Sequence, residues 1–202
     1  MAEHCLVLAS GNRGKLREMT AILQPLGWQV RPQSDWNVPD AIEDGLSCVE
    51  NALIKARHAS RLPGQAPLGG ESGLAVDFLA GAPGICSARY AGEGAGDNAN
   101  NAKLLEALAN VPEQERGAHF YCAMVLVRHA EDPAPLIAIG RWDGRILESP
   151  QGEGGFGYDP LFWVPGHACT SAQLPPEVKN SLSHRGRALR LLVKQIDEEP
   201  GG

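Results

Sequence analysis

Four stretches hold side chains that can handle a phosphate, a metal or a purine. The first is Ser10-Gly11-Asn12-Arg13-Gly14-Lys15, directly after the apolar run 5–9. A strand that turns through glycine into a helix start gathers free backbone N–H groups and a partial positive charge. Lys15 adds a full charge there, which suits phosphate. The spacing is not that of a Walker A loop. Gly11 and Gly14 are too close, and Leu16 stands where Ser or Thr would reach magnesium. An ordinary strand-to-helix turn with a solvated lysine fits the same residues. The second stretch is Glu71-Ser72-Gly73, a carboxylate and a hydroxyl at the mouth of an apolar run. It can present an acid to a metal or a water, or be a solvated loop.

The third stretch, 151–163, contains a literal G-x-G-x-x-G at 152–157. Pro160 and three aromatics follow where a dinucleotide fold needs a helix, so that reading fails on context. What remains is bare backbone beside Phe156, Tyr158, Phe162 and Trp163. Such a face can stack and edge-read a purine, and it can equally be a glycine-rich hairpin with core aromatics. In the fourth stretch Lys179, His184, Arg185 and Arg187 crowd the start of the last helix. Cations there oppose the helix dipole and need an anion beside them. For His184 alone a structural role is the simpler reading.

These residues need elements to hold them. Run 5–9 reads as a buried strand stopped by Ser10-Gly11-Asn12. Leu16, Met19, Leu23 and Leu26 form a helical stripe that Gly27 closes, and 28–32 is a second strand. Ser47 three residues before Glu50 is a capping-box signature, with Val49, Ala52, Leu53 and Ala56 facing inward behind it. Run 73–79 is strand-like. Asp97 is placed to cap a helix whose Leu104, Leu105 and Leu108 point inward. Runs 119–127 and 135–142 form the best strand pair, turned by 131–134, and 183–196 is an amphipathic helix with Ala188, Leu189, Leu192 and Ile196 on one face. The final segment 198–202 is expected to fray. Loops are expected at 32–45, 61–72, 91–97 and 148–180. Interleaved helices and strands without a long linker predict one α/β domain over 1–202.

With 43% hydrophobic and 21% charged residues, the 202-residue chain can bury a sizeable core. A formal charge of -6 argues against a duplex-binding face, though it leaves room for a small anion held locally. Five cysteines, none at CxxC spacing, argue against a zinc site or a disulfide framework and for a reduced, cytoplasmic chain. The N-terminal segment has no basic n-region, so no signal peptide is expected. No apolar run approaches the roughly 18–20 residues that span a bilayer, so no membrane association is expected.

In this order the blocks resemble the inosine/xanthosine triphosphate pyrophosphatases. The blocks are 10–15, 45–59, 72–92, 154–162 and 183–189, and the likeness runs over residues 6–192. The resemblance implies an elongated mixed central sheet with flanking helices, in two lobes around a nucleotide cleft. It implies a Mg²⁺-dependent homodimer that cleaves (d)ITP and XTP between the α and β phosphates, giving monophosphate and pyrophosphate. By block matching, Ser10, Gly11, Asn12, Arg13, Gly14 and Lys15 line the triphosphate, and Ser72 touches substrate. Phe156, Gly157, Tyr158 and Asp159 hold the base and sugar side. Lys179 meets phosphate, and His184 and Arg185 read the purine edge.

The chain also departs from that pattern. Where the family has two adjacent aspartates, the second ligating magnesium and accepting a proton, this chain has Gly70-Glu71. Where a further metal-binding Glu stands, it has Ile42, with Glu43 next to it. Glu71 is therefore the expected catalytic acid and metal ligand, and Glu43 or Asp44 the expected substitute for the absent glutamate. Three expectations follow. One is a working pyrophosphatase with a rearranged acidic cluster. Another is a homologue that binds the nucleotide and turns it over slowly or not at all. The third is a related nucleotide hydrolase of the same fold with a shifted substrate.

Overall fold

Leu6, Val7 and Leu8 have no polar side chain to solvate, and all three are fully buried in β1 (His4–Leu8). The computed structural model describes residues 4–61 and 66–199. After β1 come α1 (Arg13–Leu23), β2 (Trp28–Pro32), α2 (Cys48–Ala59) and β3 (Ala66–Val76). The chain continues through α3 (Gly96–Ala107), β4 (Gly117–Leu126) and β5 (Leu136–Ile146). It ends with β6 (Phe162–Val164), β7 (Cys169–Thr170), α4 (Pro176–Leu182) and α5 (His184–Glu198). The strands form one mixed sheet in the order β2-β1-β3-β4-β5-β6-β7, with helices flanking it.

The described chain divides into two compact units. The first comprises residues up to Glu71, 122–140 and 184 onward; the second comprises 72–121 and 141–183. Each has its own apolar core. In the first unit, β1 runs parallel to β2 on one side, with Leu6 opposite Val30, and to β3 on the other, with Leu8 opposite Leu68. Leu6, Leu8, Met19, Leu23, Leu68, Met124 and Leu192 pack as one cluster. The second core gathers Leu74, Leu104, Leu108, Phe120, Trp142 and Phe162. Phe120 and Phe162 are tilted at 4.6 Å between ring centroids, within the range where aromatic rings attract.

Several local readings hold. Ser47 caps α2 by accepting the Glu50 N–H, and Ala188, Leu189 and Leu192 are buried on α5. Others shift. Gly27, with φ +82, closes not α1, which ends at Leu23, but the 3-10 turn Gln24–Leu26 after it, where Leu26 is exposed. Residues 66–72, expected as loop, are the buried first half of β3. The expected loop 148–180 contains β6, β7 and α4. The buried face of α2 is Cys48, Asn51, Ala52, Lys55, Ala56 and Ala59, while Val49 and Leu53 lie half-buried beside it. Asp97 does not cap α3: Ala95 is the N-cap residue and contributes no side-chain bond. Of the expected loop 61–72, residues 62–65 lie outside the described residues, as do 200–202 of the expected frayed end. Among the described residues no helix is long and apolar enough to cross a membrane.

Candidate active site

The order β2-β1-β3 gives the first unit a chemical centre. β1 leads through α1 to β2 on one side, and β2 leads through α2 to β3 on the other. In open α/β sheets ligands sit beyond the carboxyl ends of strands where the winding reverses in this way. Beyond the end of β1 lies Ser10-Gly11-Asn12-Arg13-Gly14-Lys15, and beside it the chain of β3 runs on from Leu68 into Gly69-Gly70-Glu71. The Ala9 N–H donates to the Leu68 carbonyl at 3.0 Å, which fixes the two segments side by side.

Asn12 caps α1, its side-chain oxygen accepting the Lys15 N–H at 2.9 Å, and the Asn12 N–H donates to Ser10 Oγ at 3.2 Å. The turn is thus built as the sequence predicts. Lys15 points back to Glu71, with Nζ to Oε1 at 3.4 Å. Glu71 is 7% exposed and also pairs with Lys55 of α2, whose Nζ meets Glu43 at 2.9 Å as well. Two carboxylates therefore converge on one ammonium. Lys55 is a functional residue that the sequence reading missed. On the buried face of α2, one helical turn from Asn51, a lysine needs a partner, but that face is set by packing and is not marked in the sequence.

Two glycines shape this centre. A Cβ on Gly69 would lie 1.9 Å from the Ala52 carbonyl oxygen, so only a bare backbone lets α2 approach and deliver Lys55. A Cβ on Gly70 would point the other way, to 3.0 Å from Met124 Sδ in the core. The strand alternation that turns Gly70 inward turns Glu71 toward Lys55. Ile42 is 83% exposed and offers no ligand, whereas Glu43, its neighbour, is drawn in by Lys55.

Burial lowers the pKa of Lys15, partly offset by Glu71, and the charges of Lys55 and Arg185 lower it further. Burial also pulls on Lys55, but Glu71, with a hydrogen bond from the ammonium to each acid, raises its pKa overall. Burial and the charge of Glu71 push the Cys48 thiol up to about 11, so it stays neutral beside the acids.

His184 and Arg185 open α5 and are 4% and 2% exposed. A Cβ on Gly140 of β5 would lie 1.9 Å from the His184 carbonyl oxygen, so β5 seats this turn directly. Arg185 pairs with Glu18 of α1 through a salt bridge that is buried on the arginine side. That acid supplies the anion which a cation at a helix start needs. Lys179, expected beside these two, lies instead on the separate helix α4 in the second unit.

There Lys179 Nζ meets Asp159 Oδ2 at 2.5 Å and lies 5.1 Å from the centroid of the Phe156 ring. Asp159, 3% exposed, also accepts the Phe156 N–H at 2.8 Å and the Ser171 hydroxyl at 2.8 Å. Tyr158 is buried, and its hydroxyl donates to the Ser87 carbonyl at 2.8 Å. Gly157 takes φ +62, a conformation that favours glycine. Ser72 lies half-buried on β3, one residue past Glu71.

Comparison with known proteins gives the family. The model of the Ham1 family matches residues 6–195. The chain belongs to the Ham1 family. Ham1 relatives include a dITP/XTP pyrophosphatase of Pseudomonas syringae pv. tomato, 58% identical over 193 residues, covering 95% of this chain and 96% of that one. A dITP/XTP pyrophosphatase of Vibrio cholerae is 54% identical over 194 residues, covering 96% and 97%. Among solved structures, a HAM1 protein from Coxiella burnetii superposes with a TM-score of 0.88 at 46% identity, covering 97% of this chain and 100% of that one.

Whether the Ham1 chain has a place for a divalent ion is a question of donors. Among the described residues no group of three or more His, Cys, Asp and Glu side chains is placed to hold a metal. Mg²⁺ needs fewer: it commonly takes one or two carboxylates and completes its shell with water and substrate phosphate. Glu71 and Glu43, already sharing one cation, fit that requirement.

Proposed function

We propose that this protein hydrolyses non-canonical purine nucleoside triphosphates (ITP, dITP and XTP) to the nucleoside monophosphate and pyrophosphate, clearing them from the nucleotide pool. The observation that carries the reading is the convergence of Lys15, Lys55, Glu43 and Glu71 beside the end of β1. It occurs in a chain that matches dITP/XTP pyrophosphatases over nearly its whole length.

Ser10, Gly11, Asn12, Arg13, Gly14 and Lys15 take the triphosphate with backbone N–H groups and the lysine charge. Glu71 orients a water toward the α-phosphorus and accepts its proton. The new P–O bond forms as the bond to the β-phosphate bridging oxygen breaks, and pyrophosphate leaves. Glu71 and Glu43 would hold Mg²⁺, which when bound screens phosphate charge and acidifies water. Phe156, Gly157, Tyr158 and Asp159 serve the base and sugar, Ser72 and Lys179 also meet substrate, and His184 and Arg185 read the purine edge. Donors on that edge donate to the 6-oxo oxygen of hypoxanthine and xanthine. They leave the amino group of adenine without a partner, at a cost of about 1–3 kcal/mol.

We further place the protein in the cytoplasm as a homodimer. The five free cysteines fit a reducing compartment, and the homodimer follows from the family resemblance. The test of function is pyrophosphate release from ITP, XTP and dATP across a magnesium titration, for the wild type and for Glu71→Gln. Metal-dependent release from ITP and XTP, lost in a folded Glu71→Gln protein, is expected. Release at the level of a blank for every nucleotide, or full turnover by the variant, would overturn the reading.

A further inference from the structure

Helix α3 carries an acid in its first turn, where Asp usually serves its own helix. Asp97 does something else. Its Oδ2 accepts the N–H of Gly157 at 2.7 Å, sixty residues away in sequence. One turn further along the same face, Asn101 Nδ2 donates to the Gly157 carbonyl at 2.9 Å. Both polar groups of one glycine in the aromatic loop are thus taken by two side chains at i and i+4 spacing. The next residue on α3 inward, Asn100, treats another segment in the same way. It accepts the Ala91 N–H at 2.8 Å and donates to the Ala88 carbonyl at 3.1 Å. Tyr158 ties the loop to Ser87 of that segment, and Asp159 holds the Phe156 N–H.

We infer that Asp97 and Asn101 are positioning residues: they clamp the two peptides that meet at Gly157 and so fix the backbone that presents Phe156 to the purine. The inference rests on the base-side role of Phe156, Gly157, Tyr158 and Asp159 proposed above. The chemistry favours it over simple packing. Gly157 sits at φ +62 and has no side chain to anchor it, with nothing within 4 Å of where a Cβ would be. Its backbone is anchored by two directed hydrogen bonds, one to a charged acceptor. The Gly157 N–H belongs to the Phe156–Gly157 peptide, so holding it holds the backbone from which the Phe156 side chain projects.

The test compares wild type with Asp97→Ala, Asn101→Leu and Asp97→Asn. Amide exchange over 155–158 reads the clamp in the free protein, and calorimetry with inosine monophosphate and with pyrophosphate reads base and phosphate binding separately. Asp97→Ala should speed exchange at Gly157 and weaken the monophosphate about tenfold, the lower end for a hydrogen bond to a charged group, and Asn101→Leu, which removes a neutral bond, should do both to a smaller degree. Pyrophosphate affinity should not move, and for ITP the KM should rise while kcat holds. Asp97→Asn should recover most of the loss, falling between Asp97→Ala and wild type, because its amide oxygen accepts the same N–H without the charge. Unchanged monophosphate affinity despite faster exchange, a parallel loss of pyrophosphate binding, or an Asp97→Asn protein as weak as Asp97→Ala would each overturn the inference. A wild type that binds the monophosphate but releases no pyrophosphate from ITP would defeat the proposed reaction alone, and the exchange and affinity arms would still decide the clamp.

Discussion

Replacing Lys55 with methionine keeps the length of the side chain and removes the charge that Glu71 and Glu43 share. Glu71 is 7% exposed, and stripping the partner from a buried ion costs about 3–5 kcal/mol. Lys15 stays at 3.4 Å, and the Glu43 side chain is 31% exposed and partly solvated, so part of that cost is recovered. A net loss of ~2–3 kcal/mol follows, and in a chain of this size that lowers Tm by about 4–12 °C. Magnesium should then do more for the variant than for the wild type, because the two acids no longer hold an ammonium that must be displaced. At a hundred times its Kd, an ion bound only by the folded state returns about 2.7 kcal/mol. The assay is calorimetric melting of both proteins with and without Mg²⁺. The pH dependence carries a further sign. The folded-state pKa of Lys55 is raised, so its contribution is complete below the ordinary lysine value and is lost as pH rises through the elevated one. A variant melting within a degree or so of wild type, or equal magnesium shifts in the two proteins, would refute the reasoning.

Two other outcomes are expected. The pKa of Lys15 is lowered, so it is charged below that lowered value, and pyrophosphate affinity should fall as pH rises through it. Lys15→Arg should flatten the profile, and parallel titrations of the two proteins would contradict the assignment. Gly69→Ala would set a Cβ 1.9 Å from the Ala52 carbonyl oxygen, so α2 must move and stability should drop by about 1–3 kcal/mol or more. Gly166→Ala, with nothing within 4 Å, is the neutral control, and equal Tm values for the two would show that α2 is not closely seated.

The elements that announce themselves through side chains were legible. Met19 and Leu23 set the stripe of α1, Leu6 to Leu8 gave β1 away, and Asn12 with Lys15 marked the turn between them. The first half of β3 was not, because Gly69 and Gly70 carry no side chain to alternate. Their role is to leave space for Ala52 and Met124, which only the packed chain reveals. Glu71 was found from its block, but its setting was not, because Lys55 looks like a surface residue until the helix face is known. Asp97 misled for the opposite reason. Its position at the start of a helix matches a cap, and the competing acceptor role toward Gly157 is set by tertiary structure alone. Lys179 was grouped with His184 and Arg185 by nearness in sequence, whereas the break at Ser183 assigns it to a different helix.

The way the backbone is shared between the units has a practical corollary. Ownership changes between Glu71 and Ser72, between Tyr121 and Cys122, between Gly140 and Arg141, and between Ser183 and His184. No single scission can therefore liberate either half intact, and a fragment truncated after residue 121 would lack α5 and with it the seat of Arg185. Proteolytic nicking or split-gene expression should accordingly yield working protein only when both pieces are present together.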